Sequence, residues 1–523
     1  MDRLTPAPGS AQELEAYALL QARTPVLYRM LATYPRTPQT VVVVPSLSMD
    51  ARELAKIKGV WHYEERMLVN LMLLRQPRTH VIYVTSTPID EEIVDYYLAM
   101  LPGVPAGHAR RRLTLLHCSD SSSQPLTAKI LARPRLMESI TRRVRDPYRA
   151  HIVCFNSSPL ERTLAVQLGI PLHSVDPKLS DLGTKSGCRE TFRAAGVRFP
   201  YGFERLTTHR DMAECLAELK LRDPDARRAV VKLNDGFSGE GNALFYYDGL
   251  DATAGKASLI TSIYDRLPHD DGRGLRYEAA HENWASFSGK YAEMQGVVEA
   301  FVEGAVKRSP SAQCRVNAVG MPQVISTHDQ VLGGPSGQVF IGCTFPAVDE
   351  YRLEIADSAA KIASVLAERG VMGRFAVDYV SVQQPDGSYE HYAIEVNLRK
   401  GGTTHPFLTL KFLTDGHYDS GTGLFHSQRG TPKYYFASDN IFSERYVGLR
   451  PQDLIDIAVY HGLHFHQASE RGVVFHLIGA LSEFGKLGAV AIGDNPKQAK
   501  YLYDQALQVL DEETGPSWKR EAD

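Results

Sequence analysis

The chain has 523 residues, 43% hydrophobic and 23% charged, which is enough apolar material for two to four cored domains and argues against disorder. A formal net charge of −3 gives no global field for nucleic acid or an anionic membrane, so any anion must be held by a local site. Six scattered cysteines without a Cys-x-x-Cys pair, no apolar leader in MDRLTPAPGS and no long apolar run lead to one expectation: a soluble cytoplasmic protein with reduced thiols and neither nucleic acid nor membrane as partner.

In chain order, "TVVVVPS" (40–46), "THVIYVTS" (79–86), "RLTLLHCSDSSS" (112–123) and "AHIVCFNS" (150–157) read as strands with helix-like stretches between them. That alternation predicts a mostly parallel α/β domain over residues 1–175. Its strand ends are rich in Ser and Thr, which suits a ligand site or plain turn chemistry. No dinucleotide glycine fingerprint is present, and "HARRRLTLL" (108–116) reads as surface charge. The stretch 169–200 then reads as a strand end, a capped helix and a stop at Pro200.

"AVVKLNDGFSGEGNALF" (229–245) is an apolar strand carrying Lys232, a turn with Gly236, Ser238, Gly239 and Gly241, and a second apolar strand. Glycines let backbone amides approach an anion, although the same pattern also suits a simple glycine-rich hairpin. A Walker loop is excluded by context, since no Gly-Lys-Ser enters a helix. Residues 262–292 are polar and weakly patterned, as an insertion or mobile lid would be. "MQGVVEAFVEG" (294–304) holds Glu299 and Glu303, which alone suit a solvated strand edge.

"GRFAVDYVSVQQPDGSYEHYAIEVNLR" (373–399) is two β-rich runs around Pro-Asp-Gly, a hairpin signal. Centring the loop between Asp386 and Gly387 sets Asp378 opposite Glu395, with Asn397 next along the same face. Facing carboxylates repel unless a cation compensates, and this all-oxygen set suits magnesium or manganese rather than zinc. A loop one residue longer shifts the register, and a plain surface strand is the alternative. Arg399 continues the face towards a phosphate or developing oxyanion. Lys400, Gly401 and His405 follow in "KGGTTHP" as substrate contacts or turn packing.

Residues 416–446 read as a Gly/Ser-rich connector, and 447–523 as a small α+β domain of helix, apolar strand and helix. His461, His464, His466 and His476 cluster there. They lack cysteine or acidic partners at ligand spacing, so packing or substrate contact is favoured over a metal.

Lys185 ahead of "RETFRAAGVRFP", Lys232 before the glycine turn, "VVEAFVEG", Asp378 and "EVNLRKGGTTHP" stand in the order of the ATP-grasp superfamily. More narrowly, the chain resembles the bacterial peptide ligases of the pheganomycin-biosynthesis type. The resemblance covers most of the chain and implies an α/β and α+β multidomain fold. It comprises a parallel pre-ATP-grasp domain (1–175), an ATP-grasp domain (176–415), the connector and a small C-terminal domain. It implies that Lys185 and Lys232 reach the ATP phosphates and that the loop of Gly236, Ser238, Gly239 and Gly241 folds over them. Glu299, Ala300, Phe301 and Val302 would hold the adenine and Glu303 the ribose. Asp378, Glu395 and Asn397 would hold Mg²⁺, with Mn²⁺ an alternative, and Arg399 would steady the transferred phosphate.

The activity so implied is ATP-dependent joining of a carboxylate to an amine through an acyl phosphate, releasing ADP and phosphate. Its substrates would be an amino acid or unusual small acid and an amino acid or peptide N-terminus. Arg315, Arg374 and Asp439 are further candidates because they can face the cleft, the two arginines in catalysis. A homodimer is a further expectation. Other outcomes for such a chain are a carboxylase, a thioester-forming ligase, a phosphotransferase, or a nucleotide-binding regulator without turnover. No biotinyl or CoA-binding segment is recognisable.

Overall fold

Each apolar run in the first third becomes a strand in the computed structural model, which describes residues 6–49, 51–236, 241–279, 281–333 and 339–515. These strands are β1 (Gln39–Val44), β2 (Thr79–Thr85), β3 (Leu113–His117) and β4 (Ala150–Cys154), all parallel in the order β3-β2-β1-β4. Val41 to Val44 are fully buried, as expected for a strand covered on both faces. Between β1 and β2 the chain forms a short helix and then a 3-10 helix, Val60–Arg75. There Glu65, Leu68, Leu71 and Leu74 are buried at a spacing of three, the period of that helix.

A second, antiparallel sheet contains β5 (Gly202–Leu206), β6 (Arg228–Leu233), β7 (Asn242–Tyr246), β8 (Leu275–Tyr277) and β9 (Gly296–Ala300), in the order β5-β9-β6-β7-β8. The stretch 262–292, expected as an insertion or lid, belongs to the core of this unit. Ile263, Leu267, Leu275, Phe287 and Tyr291 are buried with the apolar residues of the helix His209–Arg222. The polar residues between them face water, which hid the pattern.

The third sheet begins with β10 (Lys307–Arg308), β11 (Pro310–Val316), β12 (Pro322–Gly333), β13 (Val339–Phe345), β14 (Gly373–Gln383) and β15 (Tyr389–Asn397). After a small hairpin, β16 (His417–Asp419) and β17 (Leu424–His426), it continues with β18 (Tyr434–Phe442), β19 (Gly472–His476) and β20 (Lys486–Gly493). The order is β10-β14-β11-β12-β13-β18-β20-β19, with β15 on β14. The expected connector 416–446 therefore carries β18, an interior strand, and the segment beyond 447 adds its strands to the same sheet. The sequence reading of that segment missed β20. Its small residues, "GAVAIG", have weak strand propensity but are buried between β18 and β19.

Candidate active site

Strands β11 and β14 are two-faced. Ala312, Cys314, Val316, Phe375, Val377 and Tyr379 are buried in one core with the apolar residues of the helix Arg352–Glu368. The opposite face presents Ser311, Gln313 and Arg315 alongside Arg374, Ala376 and Asp378. Beside them, β15 carries Glu395 and Asn397. Near the turn Gln383 opposes Tyr389, a register one residue away from the expected one. A bulge then leaves Ile394 unopposed, and Asp378 does face Glu395.

Asp378 accepts hydrogen bonds from Gln330 Nε2 and Asn397 Nδ2, each at 2.8 Å, and one from Ser311. Burial pushes its carboxyl up to about 6, and the facing Glu395 adds to the rise. Burial would raise Glu395 too, but the Lys185 ammonium, 2.5 Å from Oε1, holds it below the usual carboxylate range. The site thus sets one carboxylate bonded to a lysine against one whose hydrogen-bond donors are neutral side chains. Asp378, Glu395 and Asn397 offer adjacent hard oxygen donors, and their residual negative charge fits a magnesium ion.

Lys185 opens the helix Lys185–Ala194, where the Thr184 side chain accepts from Gly187 N. The end of β6 anchors that helix: Lys185 N donates to Asn234 O at 2.9 Å and Ser186 N to Asn234 Oδ1 at 2.8 Å. Lys232, on β6, forms an ion pair with Glu299 on β9, and Arg189 Nη1 meets the same carboxylate at 3.0 Å. Glu299 is buried and neutralised from both sides. The glycine turn closes tightly: a Cβ on Gly236 would stand 3.2 Å from Gly241 Cα. Ser238 and Gly239 lie outside the described residues.

Ala300 N donates to Tyr201 O, which leaves its amide committed to the sheet edge. Arg228 stacks 3.8 Å from the Phe301 ring centre, and Lys307 Nζ donates to Val302 O at 3.2 Å. Glu303 is exposed and held by Arg228 through two bonds of 2.9 and 3.1 Å. A ribose contact would have to compete with that pair.

Arg399 is partly buried next to both carboxylates. Burial lowers its pKa, and Glu395 and Asp378 oppose that shift. Lys400 turns towards the first sheet, donating Nζ to Cys154 O and its backbone N to Phe155 O. Gly401 N donates to Thr404 Oγ1 at 3.0 Å, and a Cβ on Gly402 would come within 2.7 Å of the Phe340 ring. His405 is buried against His476, with ring centres 4.0 Å apart. A small cavity beside them is lined by Arg66, Phe155, Lys400, Gly401, Thr404 and His405.

Among the other histidines, His461 bonds Glu513 at 2.6 Å, while His464 and His466 bridge to Val473 and Arg471. Asp439 is paired with Arg66 at 3.2 Å. Arg315 and Arg374 oppose each other four residues along from Asp378 on the same face. The sequence reading missed Gln330, Arg66 and Arg189. Gln330 and Arg66 lie on elements remote in sequence from the motifs, whereas Arg189 opens "RETFRAAGVRFP" on the helix of Lys185, and none carries a local signal of its own.

Residues 177–260 and 274–421 match the family described as IQCH-like, ATP-grasp, and residues 453–506 match the PGM1 C-terminal domain. Over 487 residues, covering 91% of this chain and 94% of the relative, the sequence is 31% identical to an L-propargylglycine–L-glutamate ligase of Streptantibioticus cattleyicolor. It is 23% identical over 397 residues to IQ motif-containing protein H of Danio rerio, covering 69% of this chain and 37% of that protein. The fold is similar to that of a Campylobacter jejuni biotin carboxylase solved as a β,γ-ATP complex. The TM-score is 0.53 at 11% identity, covering 91% of this chain and 92% of that one.

Proposed function

This chain belongs to the ATP-grasp superfamily, among its carbon–nitrogen ligases, and from that premise we propose how it makes an amide bond from small-molecule substrates. A substrate carboxylate oxygen attacks the γ-phosphorus of ATP, the bond to the β-phosphate oxygen breaks, and ADP leaves. The amine of the second substrate then attacks the acyl carbon, phosphate leaves with the carbon–oxygen electron pair, and the amine loses a proton. The name of the Streptantibioticus cattleyicolor relative supports amino acids on both sides of the new bond.

The observation that carries this reading is the Asp378–Glu395 pair, with Lys185 and Arg399 beside it. Phosphoryl transfer needs charge neutralisation and alignment more than a protein nucleophile. Asp378, Glu395 and Asn397 would hold magnesium, which supplies neutralisation of phosphate charge when bound. Manganese fits the same donors. Lys185 and Lys232 would bind phosphate oxygens, each exchanging its present carboxylate partner for ATP, and Arg399 would neutralise the transferred group. The glycine turn from Gly236 to Gly241 would cover the phosphates, and residues 299–303 would border the base and ribose.

Among the described residues no helix is long and apolar enough to cross a membrane. The reading sets the enzyme in the cytoplasm with its ATP. A homodimer belongs to the same proposal, and light scattering at twice the 58.1 kDa chain mass would test it.

The test is incubation with Mg²⁺ and ATP plus pooled carboxylic acids, with and without pooled amino acids and peptides, following ADP and product mass. Amide formed together with ADP is the expected result. ADP released with the acid alone, and no amide in any pool, would overturn the ligase reading.

A further inference from the structure

The polar face of β11, β14 and β15 is acidic at one end and basic at the other. Arg315 and Arg374 stand directly opposite one another, an arrangement in which Cβ atoms are about 4.5–5.5 Å apart and like charges repel. Arg315 Nε and Arg374 Nη1 are buried with no hydrogen-bond partner, while Arg315 Nη2 donates to Gln323 Oε1 at 2.5 Å. Lys411, on the helix Thr404–Thr414, is close enough to both guanidinium groups for its own charge to be disfavoured by them, and Lys400 is close to Arg374.

Among the described residues, Arg315, Arg374, Lys400 and Lys411 form no ion pair with a carboxylate. The one acid that Lys411 senses, Asp415, is gripped by Arg75 through bonds of 3.1 and 3.0 Å. His173 faces the same group and is held neutral by burial and by its neighbours. Burial and Arg315 together push the Arg374 guanidinium down to about 10, and burial pushes Lys400 down to about 8. Converging cations without a counter-charge are unfavourable in a protein interior unless an anion joins them. Arginine pairs bind carboxylates well because the planar fork matches both oxygens.

We propose that Arg315 and Arg374, supported by Lys400 and Lys411, form a binding site for a carboxylate of the amine-bearing substrate. The proposal rests on the ligase reading. Arg374 is four residues from Asp378 along an extended strand, about 13 Å away, so its guanidinium does not serve the carboxylate being phosphorylated at the acidic end. The second substrate would lie along the face, its amine towards Arg399 and its free carboxylate between the two arginines. An α-amino acid or a short peptide with a free C-terminus has that chemistry, and an amine without a second, anionic group does not.

The test pairs pooled L-amino acids with the same amino acids as C-terminal amides, using Mg²⁺, ATP and the acid that gives product in the pooled assay. Hydroxylamine serves as the amine without a carboxylate, and the hydroxamate it forms controls for folding and acid activation. Wild-type enzyme is expected to favour the free acids about 10- to 100-fold in kcat/KM. Arg374→Met and Arg315→Met should each abolish that preference by raising the KM of the acid acceptors, with the donor KM little moved. Equal use of acids and amides by the wild type overturns the site, as does a preference that survives in both variants. So does a KM rise shared equally by the donor. A wild-type enzyme that forms no amide from any acid in the pooled assay overturns the ligase reading itself, whereas amide formation with indifference to the acceptor carboxylate overturns the site alone.

Discussion

Lys185 and Glu395, 210 positions apart in the chain, meet at 2.5 Å beside a second carboxylate. The pair settles the ionisation of the site, since burial alone would favour neutral forms of both. Glu395→Gln keeps the shape, removes one charge and leaves Lys185 without its partner. Turnover should fall by at least about a hundredfold with unchanged circular dichroism, and steady-state ADP release checks it.

Another buried acid offers a pH test away from the site. Glu64 accepts from Ser86 N and Ser86 Oγ, each at 2.6 Å, yet burial pushes its carboxyl up to about 7. The folded state then binds a proton that the unfolded chain, with an ordinary carboxyl near 4.5, gives up. Stability from this group is present below 4.5 and is lost as pH rises through about 7. Wild type should therefore lose Tm relative to Glu64→Gln between those values, and thermal melts at stepped pH measure the difference.

At the level of elements, one bulge and one glycine position the chemistry. The alternation in β14 and β15 was legible from Asp378, Glu395 and Asn397 alone. The turn is longer than the Asp-Gly centring assumed, and the bulge at Ile394 restores the Asp378–Glu395 opposition. Two departures cancelled, and no sequence feature announced either. The helix carrying Lys185 depends on Gly187, where a Cβ would stand 2.0 Å from Asp181 O. Backbone cannot yield as a flexible side chain can. Gly187→Ala should destabilise the protein by about 1–3 kcal/mol and raise the KM for ATP by displacing Lys185, which melts and steady-state kinetics would read together.

The whole molecule brings the site together from separate sheets. Lys232 and Glu299 belong to the five-stranded sheet, and Asp378, Glu395 and Asn397 to the nine-stranded one. A ligand that spans both should stabilise the fold by mass action, about 2.7 kcal/mol at a concentration of 100 Kd. Mg²⁺ with ATP is therefore expected to raise Tm by several degrees, more than either alone. Lys232→Met should reduce the shift, and differential scanning fluorimetry checks both.

The sequence by itself determined the local grammar: parallel strands where apolar runs alternate with helices, a capped helix at Lys185, and an acidic hairpin around Pro-Asp-Gly. Those features depend on neighbours along the chain, so periodicity and turn chemistry suffice to read them. Only the tertiary structure decided that 262–292 is core, that β18 to β20 extend the central sheet, and that Arg315 and Arg374 face each other without an acid. Each of these depends on which surfaces meet in the folded chain, where burial and charge are set by partners that local sequence does not name.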